Sequence, residues 1–377
     1  MQPSTRREAR RSIRLLAIAI GCLIGVFVNF HIAFNAGRGA MDFNQFYAAS
    51  RLAGTGHLYD WAALRTLETE HGPAIHSGRL PVVAYGLKIL SWMPYPMARL
   101  AWLVASIAAL IVVGVTWPGA DRLGFLAAFA WSTPVAYLLG LGQDLAFWLL
   151  FFTIGIALLK RGNARLAGLA FALCICKYHL AAGIPVLLIA QKRWKTLQSG
   201  GLAVAALLLA SFVIEGIAWP VGYLRTLASP DFSPAIGRMP NLHGLAYWLP
   251  AANLVEIAGA ATLLVLLWMA CRRTPNVAVA GAAAASCGLL LGHHGYIDDC
   301  ALLIPFAVLT IQSRAVPFWL RASSLIFVTP LLTLLLISSK PFLGETLEVG
   351  LVAAALTGLM VQRHSGVVVD TRMEHAV

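Results

Sequence analysis

Apolar runs follow one another along almost the whole chain, and they limit the possible folds more than any other feature. A helix needs about 20 apolar residues to cross a bilayer, and the first run, from Ile13 to Phe34, is long enough. Of the 377 residues, 59% are hydrophobic and 12% are charged, whereas a soluble domain is about a quarter charged. The sequence therefore predicts an all-α polytopic membrane protein with room for roughly ten to thirteen crossings.

Basic residues gather in short clusters between the apolar runs, and the chain carries a net charge of +12. Such clusters are typical of the short cytoplasmic loops of membrane proteins. Stacking aromatic residues are not interleaved with them, which argues against nucleic acid as a partner. The clusters are Arg6, Arg7, Arg10, Arg11 and Arg14; Lys160, Arg161 and Arg165; Lys192, Arg193 and Lys195; and Arg272 and Arg273.

Counting the runs predicts about twelve crossings in a single domain, residues 1–377, with both termini in the cytoplasm. No small-residue cleavage site follows the first run, so we interpret residues 13–34 as an uncleaved first helix. We expect a bacterial cytoplasmic (inner) membrane, with external loops at residues 35–80 and 220–248. The order of crossings stays ambiguous between residues 80 and 140.

The stretch that begins at Asp42 organises the first external loop. Phe43, Phe46 and Tyr47 recur at helical spacing after it, which predicts a short amphipathic helix in the membrane interface. A second interfacial helix is expected after the break at Gly54-Thr55-Gly56. Asp42 is either the N-cap of the first helix or a catalytic base held at the depth of the lipid head groups. The two roles can coexist.

Lys177 and His179 lie in the middle of the apolar run from Leu166 to Ala190. Because the turns on both sides of this run are basic, we expect two short helices that meet at Lys177 near the outer face. A charged residue inside an apolar run usually faces a polar cavity. The alternative is a lysine that extends along the helix to reach water.

Polar residues from several segments fall on the outer side in this topology, and a shared cavity is therefore expected. A carboxylate there would take a proton from a sugar hydroxyl, while lysine, arginine and imidazolium would stabilise charge on a phosphate leaving group. The chain has no nucleotide-binding glycine loop, so we expect a lipid-carried donor. The residues are Asp42, Gln143, Asp144, Lys177, His179, Glu215, Asn241, His243, Glu256, His293, His294, Asp298 and Asp299.

No cofactor is predicted. The six cysteines match neither a zinc site nor a disulfide framework. A metal ion bound by the histidines and aspartates is the less favoured alternative, since their spacing is not that of a known ligand set.

Several motifs in the chain resemble those of one enzyme family. They are similar to motifs of the polyprenol-phosphate-mannose-dependent mannosyltransferases of the GT-C superfamily, glycosyltransferase family eighty-seven. They are Asp42-Phe43 with Phe46-Tyr47-Ala48-Ala49, Gly54-x-Gly56-x-x-Tyr59-Asp60, Gly142-Gln143, Ala167-Gly168-Leu169 before Cys176-Lys177, Asn241-Leu242-His243-Gly244, and His293-His294-Gly295-Tyr296.

The resemblance implies an inverting transferase with a GT-C-like helix bundle and with Asp42 as base. It would move a sugar, expected to be mannose, from a polyprenyl-phosphate donor to a glycolipid or glycan acceptor. Two departures bear on the donor sugar: Leu80-Pro81-Val82 stands where the family usually has Tyr-Pro-Pro, and Tyr178 where it usually has proline. At the donor phosphate we expect Lys177, His179, His293, His294 and Arg238, and at the substrates Gln143, Asp144, Asn241, His243 and Tyr47.

Two other functions stay open from the sequence. One is a transporter or flippase of a lipid-linked or polar solute, and the other is a noncatalytic subunit of an envelope-building complex. Transporters often contain inverted repeats with broken helices at the membrane midplane. No repeat is evident in this chain, and its polar residues cluster on one side. The sequence therefore favours the enzyme.

Overall fold

The computed structural model describes residues 16–31, 42–74, 78–229, 236–338 and 341–361. These residues form α-helices joined by short 3-10 segments, and the described part of the chain contains no strand. The helices are α1 Leu16–His31, α2 Asp42–Leu52, α3 Trp61–Thr69, α4 Pro81–Gly86, α5 Tyr95–Thr116, α6 Arg122–Trp131, α7 Thr133–Leu141, α8 Leu145–Lys160, α9 Ala164–Ala172, α10 Gly183–Ala190, α11 Trp194–Glu215, α12 Trp219–Leu227, α13 Leu242–Tyr247, α14 Ala252–Arg273, α15 Val277–Leu291, α16 Ile304–Gln312, α17 Phe318–Ser323, α18 Leu331–Ile337 and α19 Pro341–Val361. The 3-10 segments are Lys88–Trp92, Leu173–Leu180, Ile236–Arg238, Ile297–Leu303 and Ser324–Val328.

Four of the described helices are long and apolar enough to cross a membrane, namely α5, α11, α14 and most of α19. The count rises to six if two bent pairs each form one span. The apolar helices α1, α8 and α15 are shorter. The helices are those of a multi-pass membrane protein, while the expected number of about twelve crossings is not confirmed.

The bend between α6 and α7 interrupts the mainly apolar segment from Leu123 to Leu139. The two helices meet at an angle of 68°, and Ser132 between them has extended backbone. Pro134 lies in the first turn of α7. A proline at that position has no N–H to donate and its ring disfavours a continuous helix, which accounts for the break.

The centre of the bundle is built around α15, whose residues are almost all buried. Small residues allow this helix to approach its neighbours closely. A Cβ added at Gly183 of α10 would overlap the carbonyl oxygen of Ala284, and one at Gly288 would overlap that of Leu180. The small residues of α15 therefore pack closely against α10 and the 3-10 segment that contains Lys177.

The first loop folds as two helices, α2 and α3, as the glycine pair predicts. Gly54 and Gly56 both have a φ of +80°, a conformation that favours glycine. Every residue of α2 from Phe43 to Ser50 is buried, and this stretch includes the polar residues Asn44 and Gln45. An interfacial position for α2 is not confirmed, because polar as well as apolar side chains pack inside the protein.

The run from Leu166 to Ala190 is broken at Lys177, in agreement with the prediction of two short helices. Lys177 has φ −130° and ψ 67°, which are not helical values, inside the 3-10 segment between α9 and α10. The lysine is 3% exposed, so the alternative in which its side chain extends to water is wrong.

Candidate active site

Asp42 and Gln143 meet where the first residue of α2 faces the residues after α7. Gln143 Nε2 donates a hydrogen bond of 2.8 Å to Asp42 Oδ2. Gly142 sets the position of this amide, because it ends α7 in the left-handed conformation with φ +74°. Trp102 Nε1 donates to Gly142 O at 2.8 Å and holds the turn in place.

The environment of Asp42 makes its carboxylate a stronger base than a free aspartate. Asp42 is partly buried, and burial is the main cause of a raised pKa, with the charge of Asp144 adding to it. The hydrogen bond from Gln143 and the positive charges of Lys177 and Arg79 lower the pKa and offset only part of this effect. A base with a raised pKa binds a substrate proton more readily at neutral pH.

A buried ion cluster lies beside Asp42 and is centred on Lys177. Lys177 Nζ lies 2.5 Å from Asp299 Oδ1, 3.4 Å from Asp298 Oδ2 and 3.9 Å from Asp144 Oδ1. Asp299 Oδ2 also accepts from the backbone N–H of Tyr296 at 3.1 Å. The cluster thus links three segments that are far apart in the sequence. One carries Asp144, one carries Lys177, and one carries both Asp298 and Asp299.

Arg79 belongs to the cluster and is the main residue that the sequence analysis missed. Its Nη2 donates to Asp144 Oδ1 at 3.1 Å, and its Nη1 donates to Cys176 O at 2.9 Å. Its guanidinium lies 4.7 Å from the ring centre of Phe46. In the sequence Arg79 is one of several charged residues between residues 35 and 80. Only its position just before the apolar run that begins at Pro81 could have drawn attention to it.

The ion cluster is closed to solvent. Arg79 is 9% exposed, Lys177 3%, Asp144 4%, and Asp298 and Asp299 2% each. Two cations face three carboxylates, so a donor phosphate can contact Lys177 only if it displaces one of them. The geometry gives Lys177 an acidic environment in place of the open cavity that the sequence predicts.

His179 and His294 lie at the edge of the cluster with their rings nearly perpendicular and 5.8 Å apart. The Nε2 atom of His179 is buried and has no hydrogen-bond partner among the described residues. Burial lowers the pKa of His294 to about 4. The imidazole of His294 is therefore neutral near pH 7, and contact of this residue with the donor phosphate stays a prediction.

Three predicted substrate-binding residues are held by the scaffold. Tyr47 Oη donates to Met93 O at 2.8 Å. Asn241 caps α13, since its Oδ1 accepts from Gly244 N at 2.8 Å, while its Nδ2 donates to Gly292 O at 2.8 Å. His243 Nδ1 lies 2.8 Å from Glu256 Oε2.

The remaining predicted residues lie outside the cluster. Arg238 is exposed at the end of its 3-10 segment, and His293 is grouped with Glu256, 3.5 Å away. Glu215 at the end of α11 accepts from Gly54 N at 2.5 Å and so fixes the first loop. Of the eleven predicted site residues, the structure brings together Asp42, Gln143, Asp144, Lys177, His179 and His294.

A cavity of about 380 Å³ opens elsewhere, at the C-terminal end of α14, and is lined by Trp268, Met269, Arg272 and Arg273. None of the predicted site residues lines it.

The comparison with protein families decides between the alternatives. The model of glycosyltransferase family 87 matches residues 81–292. The chain belongs to this family. As a member of glycosyltransferase family 87 it is a membrane glycosyltransferase. No curated protein and no solved structure matches this family 87 member.

Proposed function

We propose that this family 87 glycosyltransferase moves a sugar, with mannose as the expected one, from a polyprenyl-phosphate donor to a lipid or glycan acceptor. The observation that carries the proposal is the 2.8 Å hydrogen bond from Gln143 to Asp42, beside the buried cations Lys177 and Arg79. The bundle would cross a bacterial cytoplasmic membrane about twelve times. Its site would face outward, where lipid-linked sugars enter from the bilayer.

In the proposed reaction Asp42 is the general base. Gln143 holds its Oδ2, so the other carboxylate oxygen accepts the proton of the acceptor hydroxyl. The hydroxyl oxygen then forms a bond to the anomeric carbon from the face opposite the phosphate. The bond between this carbon and the phosphate oxygen breaks, and the lipid phosphate leaves with the electron pair. One attack of this kind inverts the anomeric configuration.

Gln143 would also bind substrate. Its amide oxygen, Oε1, is buried and has no hydrogen-bond partner among the described residues. Because an unpaired buried acceptor costs free energy, a sugar hydroxyl that donates to it would bind favourably. The amide therefore orients the base with its N–H and a substrate with its oxygen.

Lys177 and Arg79 would act on the reaction through their charges. Both are paired with carboxylates, and the positive charge of each lowers the pKa of Asp42 and so favours the ionised form of the base. For direct contact with the donor phosphate we retain His179, His294 and Arg238. A neutral imidazole donates a hydrogen bond from its N–H to a phosphate oxygen.

The test is sugar transfer by the purified protein from polyprenyl-phosphate mannose to extracted membrane lipids, followed by mass spectrometry. We expect a hexose-bearing product with the wild type and at least a ~100-fold loss of rate with Asp42→Asn.

The matched control is Asp60→Asn, in the same loop. Asp60 caps α3 by accepting from Ala62 N at 3.0 Å, and asparagine caps a helix equally well. This variant should keep the wild-type rate. Full activity of Asp42→Asn would overturn the assignment of the base, and the absence of product from every polyprenyl-phosphate sugar would overturn the donor class.

A further inference from the structure

A second group of ionisable side chains lies apart from Asp42 and is formed by His243, Glu256 and His293. His243 Nδ1 lies 2.8 Å from Glu256 Oε2, and His293 Nδ1 lies 3.5 Å from Glu256 Oε1. The two imidazole rings are 3.9 Å apart. Each histidine thus faces one oxygen of the same carboxylate, and one ligand atom from each of the three residues lies within 4.8 Å of the others.

These separations fit a metal ion. Zn²⁺ binds histidine nitrogen and carboxylate oxygen at about 2.0–2.2 Å, so the ligand atoms of a tetrahedral site lie roughly 3.4 Å apart. The 3.5 Å between His293 Nδ1 and Glu256 Oε1 is close to this value, while the 2.8 Å between His243 Nδ1 and Glu256 Oε2 is shorter and would lengthen as the ion takes the place of the hydrogen bond. Two histidines and one glutamate are a ligand set that Zn²⁺ accepts, with a fourth position left for water. Imidazole suits zinc better than Mg²⁺ or Ca²⁺, which prefer oxygen ligands.

The surrounding helices fix the positions of the three segments that carry the ligands. His243 is in the first turn of α13, Glu256 is near the start of α14, and His293 follows α15. Asn241 joins two of these segments, because its side chain bonds both Gly244 N and Gly292 O. The backbones that carry His243 and His293 are therefore fixed next to each other before any ion binds.

The group is open enough for an ion to enter. The side chains of His243 and Glu256 are 19% and 28% exposed, and that of His293 is 76% exposed. The nearby ion cluster is buried and already pairs its charges, so it offers no comparable entry. The most exposed ligand, His293, could turn toward an incoming ion while the other two stay in place.

We propose that His243, Glu256 and His293 bind a divalent transition-metal ion, with Zn²⁺ as the best match. The ion ties the His293–His294 turn to α13 and α14 and so fixes the backbone next to the candidate active site. This proposal concerns a structural site, and it does not depend on the sugar or on the identity of the base.

The test measures metal bound to the full chain, purified without a polyhistidine tag, stripped with EDTA and dialysed against Zn²⁺. We expect about one zinc ion per chain. Replacement by Co²⁺ should give visible absorption bands typical of a four-coordinate nitrogen and oxygen site. Binding of Zn²⁺ should also raise the thermal unfolding temperature of the protein.

Two ligand variants and one control distinguish a metal site from three side chains that only hydrogen-bond to one another. Glu256→Gln keeps an acceptor oxygen for a histidine but loses the anionic ligand, and His243→Ala removes an imidazole. Each should weaken Zn²⁺ binding at least about tenfold and abolish the shift in unfolding temperature. The control is His57→Ala, because His57 pairs with a single carboxylate, Asp60, at 3.6 Å. It should leave zinc content unchanged.

The proposal is wrong if the wild type takes up no zinc, or if Glu256→Gln and His243→Ala bind it as tightly as the wild type. Either outcome leaves the sugar-transfer proposal untouched, since that proposal is tested with Asp42 variants.

Discussion

Gly142 and Phe43 touch so closely that a Cβ on Gly142 would lie 2.8 Å from the Cβ of Phe43. Each residue is next in sequence to one partner of the site, since Gly142 precedes Gln143 and Phe43 follows Asp42. The contact therefore sets the distance between the proposed base and the amide that orients it. Only glycine meets both demands at this position, a left-handed backbone and no side chain.

Gly142→Ala should lower kcat/KM by about 10–100-fold, because the new methyl group pushes Phe43, and with it Asp42, away from Gln143. The matched control is Gly162→Ala, where φ is +81° and no atom lies near the added Cβ. Both variants should lose about 1–2 kcal/mol of unfolding free energy from the left-handed backbone. Equal kcat/KM values for the two variants would show that the contact with Phe43 does not position the site.

Gln143→Met should move the acid limb of the pH–rate profile to higher pH. The hydrogen bond from Gln143 stabilises the ionised form of Asp42 and so lowers its pKa. Without the bond, the pKa of the base rises further and less of it is ionised at a given pH. The measurement is kcat/KM against pH, with Gln191→Met as control, since Gln191 donates to Thr274 O at 3.0 Å away from the site. If the acid limb stays at the same pH, Gln143 does not influence the group whose titration the profile reports.

The sequence predicted the helices well where polar residues mark the ends of the apolar runs. The apolar run from Leu145 to Leu159 forms α8, Leu145–Lys160, because Asp144 and the Lys160 turn mark both ends. The bend at Ser132 was missed, although Ser132-Thr133-Pro134 interrupts the apolar residues at that point. The number of spans could not be fixed, because short apolar helices and full crossings have the same composition.

The site was predicted in part. A single lysine in an apolar run indicated that the helix is interrupted at Lys177 and that this residue makes polar contacts. Its partners Asp298 and Asp299 lie 121 and 122 residues away, and apolar periodicity carries no information on which helix faces which. Arg79 was missed for the same reason, because its partner Asp144 is 65 residues distant.

Asp42→Asn should unfold at the same or a higher temperature than the wild type at pH 8. Burial raises the pKa of Asp42, so the folded protein holds this proton more tightly than the unfolded chain. The ionised carboxylate therefore costs stability above the folded pKa, and the cost vanishes as the pH falls below the ordinary pKa. The gain of the variant should shrink as the pH is lowered. A lower unfolding temperature at pH 8 would mean that the carboxylate supports the fold.

Lys177→Met should lower the free energy of unfolding by about 3–5 kcal/mol, because it leaves buried carboxylates without their cation. Adding Asp299→Asn removes the carboxylate nearest to the lysine, at 2.5 Å. The double variant should therefore recover part of the loss. Thermal unfolding of the detergent-purified protein, followed by tryptophan fluorescence, measures both.

The control for this series is Lys88→Met. Lys88 Nζ donates to the carbonyl oxygen of Ala53, and the residue is only partly buried. Its replacement leaves no buried charge unpaired and should lower the free energy of unfolding by about 1 kcal/mol. If Lys177→Met costs no more than Lys88→Met, the carboxylates around Lys177 do not depend on its charge. If the double variant is less stable than the single one, Asp299 stabilises the fold through Tyr296, whose N–H it accepts at 3.1 Å, more than through the lysine.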